Sequence, residues 1–313
     1  MKISAKKLIL TSLILLLAIS FTLTSSQSKA AAENINVQVS IYPIYEIADR
    51  IGGERIEVEQ FIPQGVEIHG YEPSPQRMTA LEDTDAFIYV GAGLEPWAER
   101  AVDSLDSDTV SLLELADKVE LRPYGEAHDH DHDHDNDHGE YDTHIWLDFN
   151  LMQQIATEIS QLFTELDPAG EDVFRENAAQ VQEDLQELDD TYQEELAERS
   201  RDTIVVSHAA FGYMADNYGL EQQAVTGLSP HDEPSPGTVS ELIDIARERN
   251  LEYVFMEVLA SPRVVEVVAE EAGLEILTLD PAAGLTEEQI EQNEDYFSIM
   301  YSNLENLRKA LVE

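Results

Sequence analysis

The 313-residue chain carries 64 acidic and 18 basic side chains, a formal net charge of −46, and no cysteine. That balance excludes ordinary nucleic-acid binding, which needs Lys and Arg clustered against phosphate, and docking on an anionic membrane face. Without cysteine there are no disulfides, no thiolate metal sites and no Cys nucleophiles. The 43% hydrophobic content is that of a folded chain, sized for roughly two domains of ~150 residues. After residue 30 the only lysines are Lys118 and Lys309. Such an acid-rich, lysine-poor surface is suited to a saline habitat, where salt screens its self-repulsion.

Residues 1–30 have the layout of a secretory signal. Lys2, Lys6 and Lys7 form a positive start, residues 8–23 are mostly apolar, and Ser28-Lys29-Ala30 offers a small-x-small cleavage site. The apolar run is short of the ~20 residues needed to span a bilayer, so export with cleavage is expected. No cysteine follows it to carry a lipid, which makes a periplasmic protein the simplest expectation.

From residue 35 onward, short apolar runs alternate with helical patterns. Residues 35–39, 56–62 and 86–90 are predicted strands in a first lobe, 31–166. In a second lobe, 201–313, the predicted strands are 203–207, 224–226, 253–257 and 275–279, interleaved with helices at 213–218, 238–250 and 262–272. Alternation of this kind predicts an α/β protein of two lobes with mainly parallel sheets. Between them, within 167–200, Phe174, Ala178, Val181, Leu185, Leu188, Tyr192 and Leu196 recur every three or four residues. This stripe predicts one long, rigid linking helix over 171–199, roughly 43 Å at 1.5 Å per residue. It would tie the lobes together and limit hinging.

One segment, 126–142, is extreme in composition. His128, His130, His132, His134 and His138 alternate with aspartates, and nothing apolar lies between Ala127 and Tyr141. It cannot pack and is expected to be a mobile loop. Acidity explains the aspartates but not five histidines, so the loop is read as a low-affinity metal collector that raises local ion concentration.

Four histidines lie elsewhere. His69 follows an apolar strand, His144 precedes a helical stretch from 151, and His208 follows the strand ending at Ser207. A further βα junction carries Asp280. Side chains at the carboxyl ends of strands line the ligand crevice of open α/β sheets. Three imidazoles and a carboxylate, two from each lobe, suit a tetrahedral divalent metal in the interlobe cleft. Taken singly, each histidine also fits an ordinary capping or buried polar role. His231, in a proline-rich turn, reads as a solvated loop residue. Trp97 and Trp146 read as lobe-packing aromatics.

The motifs Ser40-Ile41-Tyr42-Pro43-Ile44-Tyr45, Pro63-Gln64-Gly65-Val66-Glu67-Ile68-His69-Gly70, Gly93-Leu94-Glu95-Pro96-Trp97, Thr143-His144-Ile145-Trp146-Leu147-Asp148, Ser207-His208-Ala209-Ala210-Phe211-Gly212-Tyr213 and Leu279-Asp280-Pro281 occur in this order. Together they resemble the zinc/manganese ABC-transporter solute-binding proteins, the ZnuA-like members of cluster A-I, over nearly the whole chain after residue 35. The resemblance implies metal ligands at His69, His144, His208 and Asp280. It also implies a Zn²⁺ cargo, a membrane permease with its cytoplasmic ATPase as partner, and a monomeric, non-enzymatic binding protein. Manganese-type members usually place Glu where this chain has His208, and imidazole favours zinc over manganese; a manganese or dual Zn²⁺/Mn²⁺ cargo is the alternative. Ile68 stands where family members place Pro or Glu, so no carboxylate adjoins the first histidine, and Glu67 is one position further away. A rival class, a zinc metallohydrolase, also uses three histidines, but it needs an open coordination position and a nearby base. No His-Glu-x-x-His pair occurs here.

Overall fold

The computed structural model describes residues 35–124 and 141–313. The expected signal segment and the histidines at 128, 130, 132, 134 and 138 lie outside the described residues. The first lobe holds strands β1 (Ile35–Val39), β2 (Ile56–Gln60), β3 (Ala86–Tyr89) and β4 (Ser111–Glu114), all parallel, in the order β2-β1-β3-β4. The second lobe repeats the plan with β5 (Thr203–His208), β6 (Glu221–Thr226), β7 (Tyr253–Met256) and β8 (Glu275–Thr278), in the order β6-β5-β7-β8. Central strands β3 and β5 are buried along their whole length, as expected when helices cover both faces of a parallel sheet. The predicted two-lobe α/β architecture is therefore the observed one. Edge strand β4 has no counterpart among the predicted strands, and β6 begins three residues earlier than predicted.

Helices connect the strands. In the first lobe these are α1 (Tyr42–Gly52), α2 (Pro75–Ala80), α3 (Pro96–Val102) and α4 (Phe149–Leu166). Each of the first three carries a proline in its first turn, where a missing N–H costs nothing. Asp148 caps α4 by accepting from Asn150 N and Leu151 N. The linking helix, α5, runs Glu171–Leu196, and all seven residues of the predicted stripe are buried on it. The second lobe has α6 (Gly212–Tyr218), α7 (Pro236–Glu248), α8 (Arg263–Ala272), α9 (Glu287–Gln292) and α10 (Tyr296–Leu311).

Helix α5 packs on α1 and α4 of the first lobe and on α6 and α10 of the second. Its Tyr192 hydroxyl donates to the Met300 carbonyl at 2.5 Å, and Tyr218 of α6 donates to Asp189 at 2.7 Å. One apolar core runs through both lobes, with a smaller cluster around Val205, Val225 and Val254 in the second. Further ties cross the lobes directly. Trp146 Nε1 donates to the Pro281 carbonyl, and the Tyr296 hydroxyl donates to the Trp146 carbonyl, both at 2.6 Å. Arg50 of α1 pairs with Asp295 at 2.7 Å and lies over the Phe297 ring at 4.4 Å. These contacts hold the two lobes against one another. Trp97 is packed as expected, stacked on Phe61 at 4.5 Å, whereas Trp146 is part of the interlobe seam.

Candidate metal site

Each histidine reaches the seam by a different local device. His69 sits in the loop after β2, which is anchored by buried Ile68 and turned by Gly70 at φ +77°. His144 lies between an antiparallel bridge, Pro123 to Tyr141, and a 3-10 turn, Ile145–Leu147, whose three side chains are wholly buried. His208 is the last residue of β5. One ring nitrogen from each of the three lies within 4.8 Å of the others, and the ring centroids are 5.2–5.4 Å apart. His144 Nε2 and His208 Nε2 stand 3.2 Å apart. Two nitrogens bound tetrahedrally at ~2.0–2.1 Å from zinc would stand about 3.3 Å apart, so the spacing fits an edge of such a shell. Among the described residues His69 Nε2 is buried without a hydrogen-bond partner, which suits it to binding a metal ion.

Every Nδ1 is held by a carboxylate. Glu67 Oε1 lies 2.7 Å from His69 Nδ1, Asp142 Oδ1 2.8 Å from His144 Nδ1, and Glu257 Oε1 2.5 Å from His208 Nδ1. Such partners orient the ring, leave Nε2 free and raise its basicity toward a metal. Two of the three follow one local pattern, Glu67-Ile68-His69 and Asp142-Thr143-His144, in which the acid precedes the imidazole by two residues. That repeated acid-x-His spacing is a signal in the sequence for the orienting acids, one that strand and helix patterning does not reveal. Glu257 has no such local mark. It comes from the end of β7, and the parallel register Val206 to Phe255 sets position 257 beside 208. Glu257 also accepts a short bond from the Ser207 hydroxyl.

Asp142 corrects the expected extent of the hydrophilic loop. Compositionally it belongs to that loop, yet it is completely buried. Its carboxylate accepts from the backbone N and the ring of His144 and lies 3.6 Å from Arg122. Burial drives the His144 pKa down to about 4; Asp142 opposes the shift, and the other two histidines add to it. The ring is thus neutral at physiological pH with a lone pair to offer. Burial pushes Glu67 upward, but the hydrogen bond and charge of His69 outweigh it, leaving the carboxyl below its ordinary range.

Asp280 lines the same pocket from the loop after β8, but it stands apart from the three-imidazole cluster. Its Oδ1 accepts from Ala282 N at 2.8 Å and its Oδ2 from Gln289 Nε2 at 2.7 Å, while Asn303 brackets its backbone. Ala282 adopts a left-handed conformation, φ +54°, to aim that N–H at the carboxylate. Burial raises the Asp280 pKa to about 6. Among the acids that line the pocket, Glu67 and Glu257 hold imidazoles and Asp280 does not. His231 is an exposed loop residue, as expected, and it makes contacts the sequence does not mark. Its Nε2 lies 2.9 Å from the His69 carbonyl and 2.8 Å from Glu67 Oε2.

The pocket encloses about 10 Å³, room for one atom-sized guest. Its walls beyond the histidines and acids are Trp146, Val258, Leu259, Ala260, Pro281 and Ala283. A space of this size at the histidines is suited to a single ion.

Residues 37–310 match the family model described as zinc-uptake complex component A, periplasmic. The chain is 34% identical over 296 residues to the zinc-binding lipoprotein AdcA of Streptococcus pneumoniae (strain ATCC BAA-255 / R6), covering 93% of this chain and 58% of that protein. It is 30% identical over 291 residues to the high-affinity zinc uptake system protein ZnuA of Bacillus subtilis (strain 168), covering 92% and 91%. Among solved structures, the Zn(II)-bound ZnuA-like domain of Streptococcus pneumoniae AdcA superposes with a TM-score of 0.76 at 32% identity, covering 90% of this chain and all of that one. The chain thus spans about three fifths of the length of the AdcA proteins it matches.

Proposed function

This chain belongs to the family of periplasmic zinc-uptake components A, and on that premise we propose that it is the solute-binding component of a zinc ABC importer. It takes up Zn²⁺ in the interlobe cleft and delivers it to a membrane permease driven by a cytoplasmic ATPase. The observation that carries this reading is the trio of imidazoles, drawn from both lobes, each with its Nδ1 held by a carboxylate and its other nitrogen turned toward a common point.

In the proposed site His69, His144 and His208 bind through Nε2. Asp280 supplies the fourth donor by giving up its contact with Gln289. Neutral imidazoles favour zinc over manganese, which prefers oxygen donors. The protein acts as a monomeric binding protein and not as an enzyme, a reading that rests on its family. Residues 1–30 direct export and are removed; no helix among the described residues is long and apolar enough to cross a membrane. The histidines at 128, 130, 132, 134 and 138 serve as a low-affinity collector, a reading that rests on composition.

The many ties across the seam allow only modest closure, so release to the permease requires that the transporter distort the site. The test is metal competition on the exported chain. Zn²⁺ is expected to bind one tight site and outcompete Mn²⁺, and His208→Glu is expected to weaken zinc and narrow that preference. Equal affinity for both metals in the unaltered chain overturns the zinc assignment, and unimpaired growth of a deletion strain in zinc-limited medium overturns the transport role.

A further inference from the structure

We infer that His231 is a positioning residue that latches the second lobe onto the metal-binding segment of the first and thereby slows release of the bound ion. The inference rests on the reading of the three-histidine pocket as the zinc site. His231 lies in the loop after β6, whose base is fixed beside His208: the Thr226 hydroxyl donates to the Ser207 carbonyl at 3.2 Å and to the Ser229 carbonyl at 3.1 Å. From that base the loop reaches the other lobe. His231 Nε2 contacts the His69 carbonyl at 2.9 Å and stands 2.8 Å from Glu67 Oε2.

Both neighbours are acceptors, so Nε2 carries the proton and donates across the seam. The ring rests over Gly70, where an added Cβ would stand 3.6 Å from its Cδ2. Although 61% of the His231 side chain is exposed, the acceptors it meets belong to the segment that carries a metal ligand and to that ligand's own carboxylate partner. Glu67 holds His69 through Oε1 and has Oε2 2.8 Å from His231 Nε2, whose hydrogen bond goes to the His69 carbonyl, so the acid lies between the two rings. The lobes cannot part at this point without breaking the His231 contact and loosening His69 together.

The site itself does not need His231 for coordination, so the effect falls on the rate of release. Zinc-loaded exported chain is mixed with excess EDTA in a stopped-flow instrument and the release rate is read for the unaltered protein, His231→Ala and His231→Gln. The alanine variant is expected to release zinc about tenfold faster, in line with the effect of other outer partners of metal ligands. Its zinc stoichiometry and metal-free thermal midpoint are expected to stay unchanged. The glutamine variant, whose amide N–H falls near the position of Nε2, is expected to recover most of the slow release. Equal release rates for all three proteins overturn the latch while leaving the zinc site standing. A glutamine variant as fast as alanine overturns the donor role, and an unaltered chain that binds no zinc overturns site and latch together.

Discussion

His144 Nε2 and His208 Nε2 face one another at 3.2 Å across the seam, one imidazole from each lobe, and each ring is locked from behind by its own acid. On the proposed reading the pair forms one edge of the ligand shell, already set in the metal-free fold. Pre-setting the rings lowers the ordering cost of capture, and the acids that do the setting become as important as their distance from the ion allows.

Those acids can be tested directly. Asp142→Asn and Glu257→Gln keep size and hydrogen-bonding capacity while removing charge. Each is expected to weaken zinc binding by roughly 10–100-fold, measured by competition with a chromophoric chelator. An unchanged affinity in both variants would remove the orienting role.

Asp280 has the least settled geometry at the site, since its carboxylate is engaged by Ala282 N and Gln289. Substitution of Co²⁺ for zinc gives a visible spectrum sensitive to an open coordination position. If Asp280 fills that position, azide should perturb the spectrum of Asp280→Ala and leave the unaltered protein alone. A spectrum that shifts with azide in the unaltered protein assigns the fourth position to solvent.

The metal-free chain should also show a pH signature of Asp280. Its folded pKa, about 6, lies above the ordinary 3.8, so its burial favours the folded state below pH 3.8 and that contribution is lost as pH rises through 6. His144 acts in the opposite sense: lowered to about 4 from 6.5, it favours the folded state above pH 6.5 and loses that contribution as pH falls toward 4. Asp280→Asn removes only the first effect. Relative to the unaltered chain, the variant should therefore gain stability from pH 4 to pH 7.5, by on the order of 2–3 kcal/mol. Urea unfolding at both pH values checks it, and a difference that does not change with pH counts against a raised Asp280.

Gly212 links the seam to the site. A Cβ there would sit 2.5 Å from Asp142 Oδ2 and 2.6 Å from Arg122 Nη1, and Tyr213 beside it donates to the Asp142 carbonyl at 2.8 Å. Gly212→Ala should cost about 1–3 kcal/mol through overpacking and should weaken zinc binding through displaced Asp142. Wild-type stability together with wild-type affinity would show that the Arg122–Asp142 pair yields freely.

Much of this protein was legible in its sequence. Strand–helix alternation defined two parallel-sheet lobes, and the stripe from Phe174 to Leu196 marked the linking helix, because apolar periodicity is a local property that burial must respect. His69 and His208 were visible for the same reason, since each follows a predicted strand, while His144 was marked only by the helix predicted after it. The tertiary structure alone decided the polar contacts. Glu257 meets His208 only because β5 and β7 pair in one particular register, and His231 reaches Glu67 from 164 residues away across two lobes. Asp142 is buried in spite of its hydrophilic neighbours because Arg122 and His144 receive it there. Apolar patterning tolerates errors of several ångströms, whereas a hydrogen bond to an imidazole requires placement within a few tenths of one, and only the assembled fold sets positions that finely.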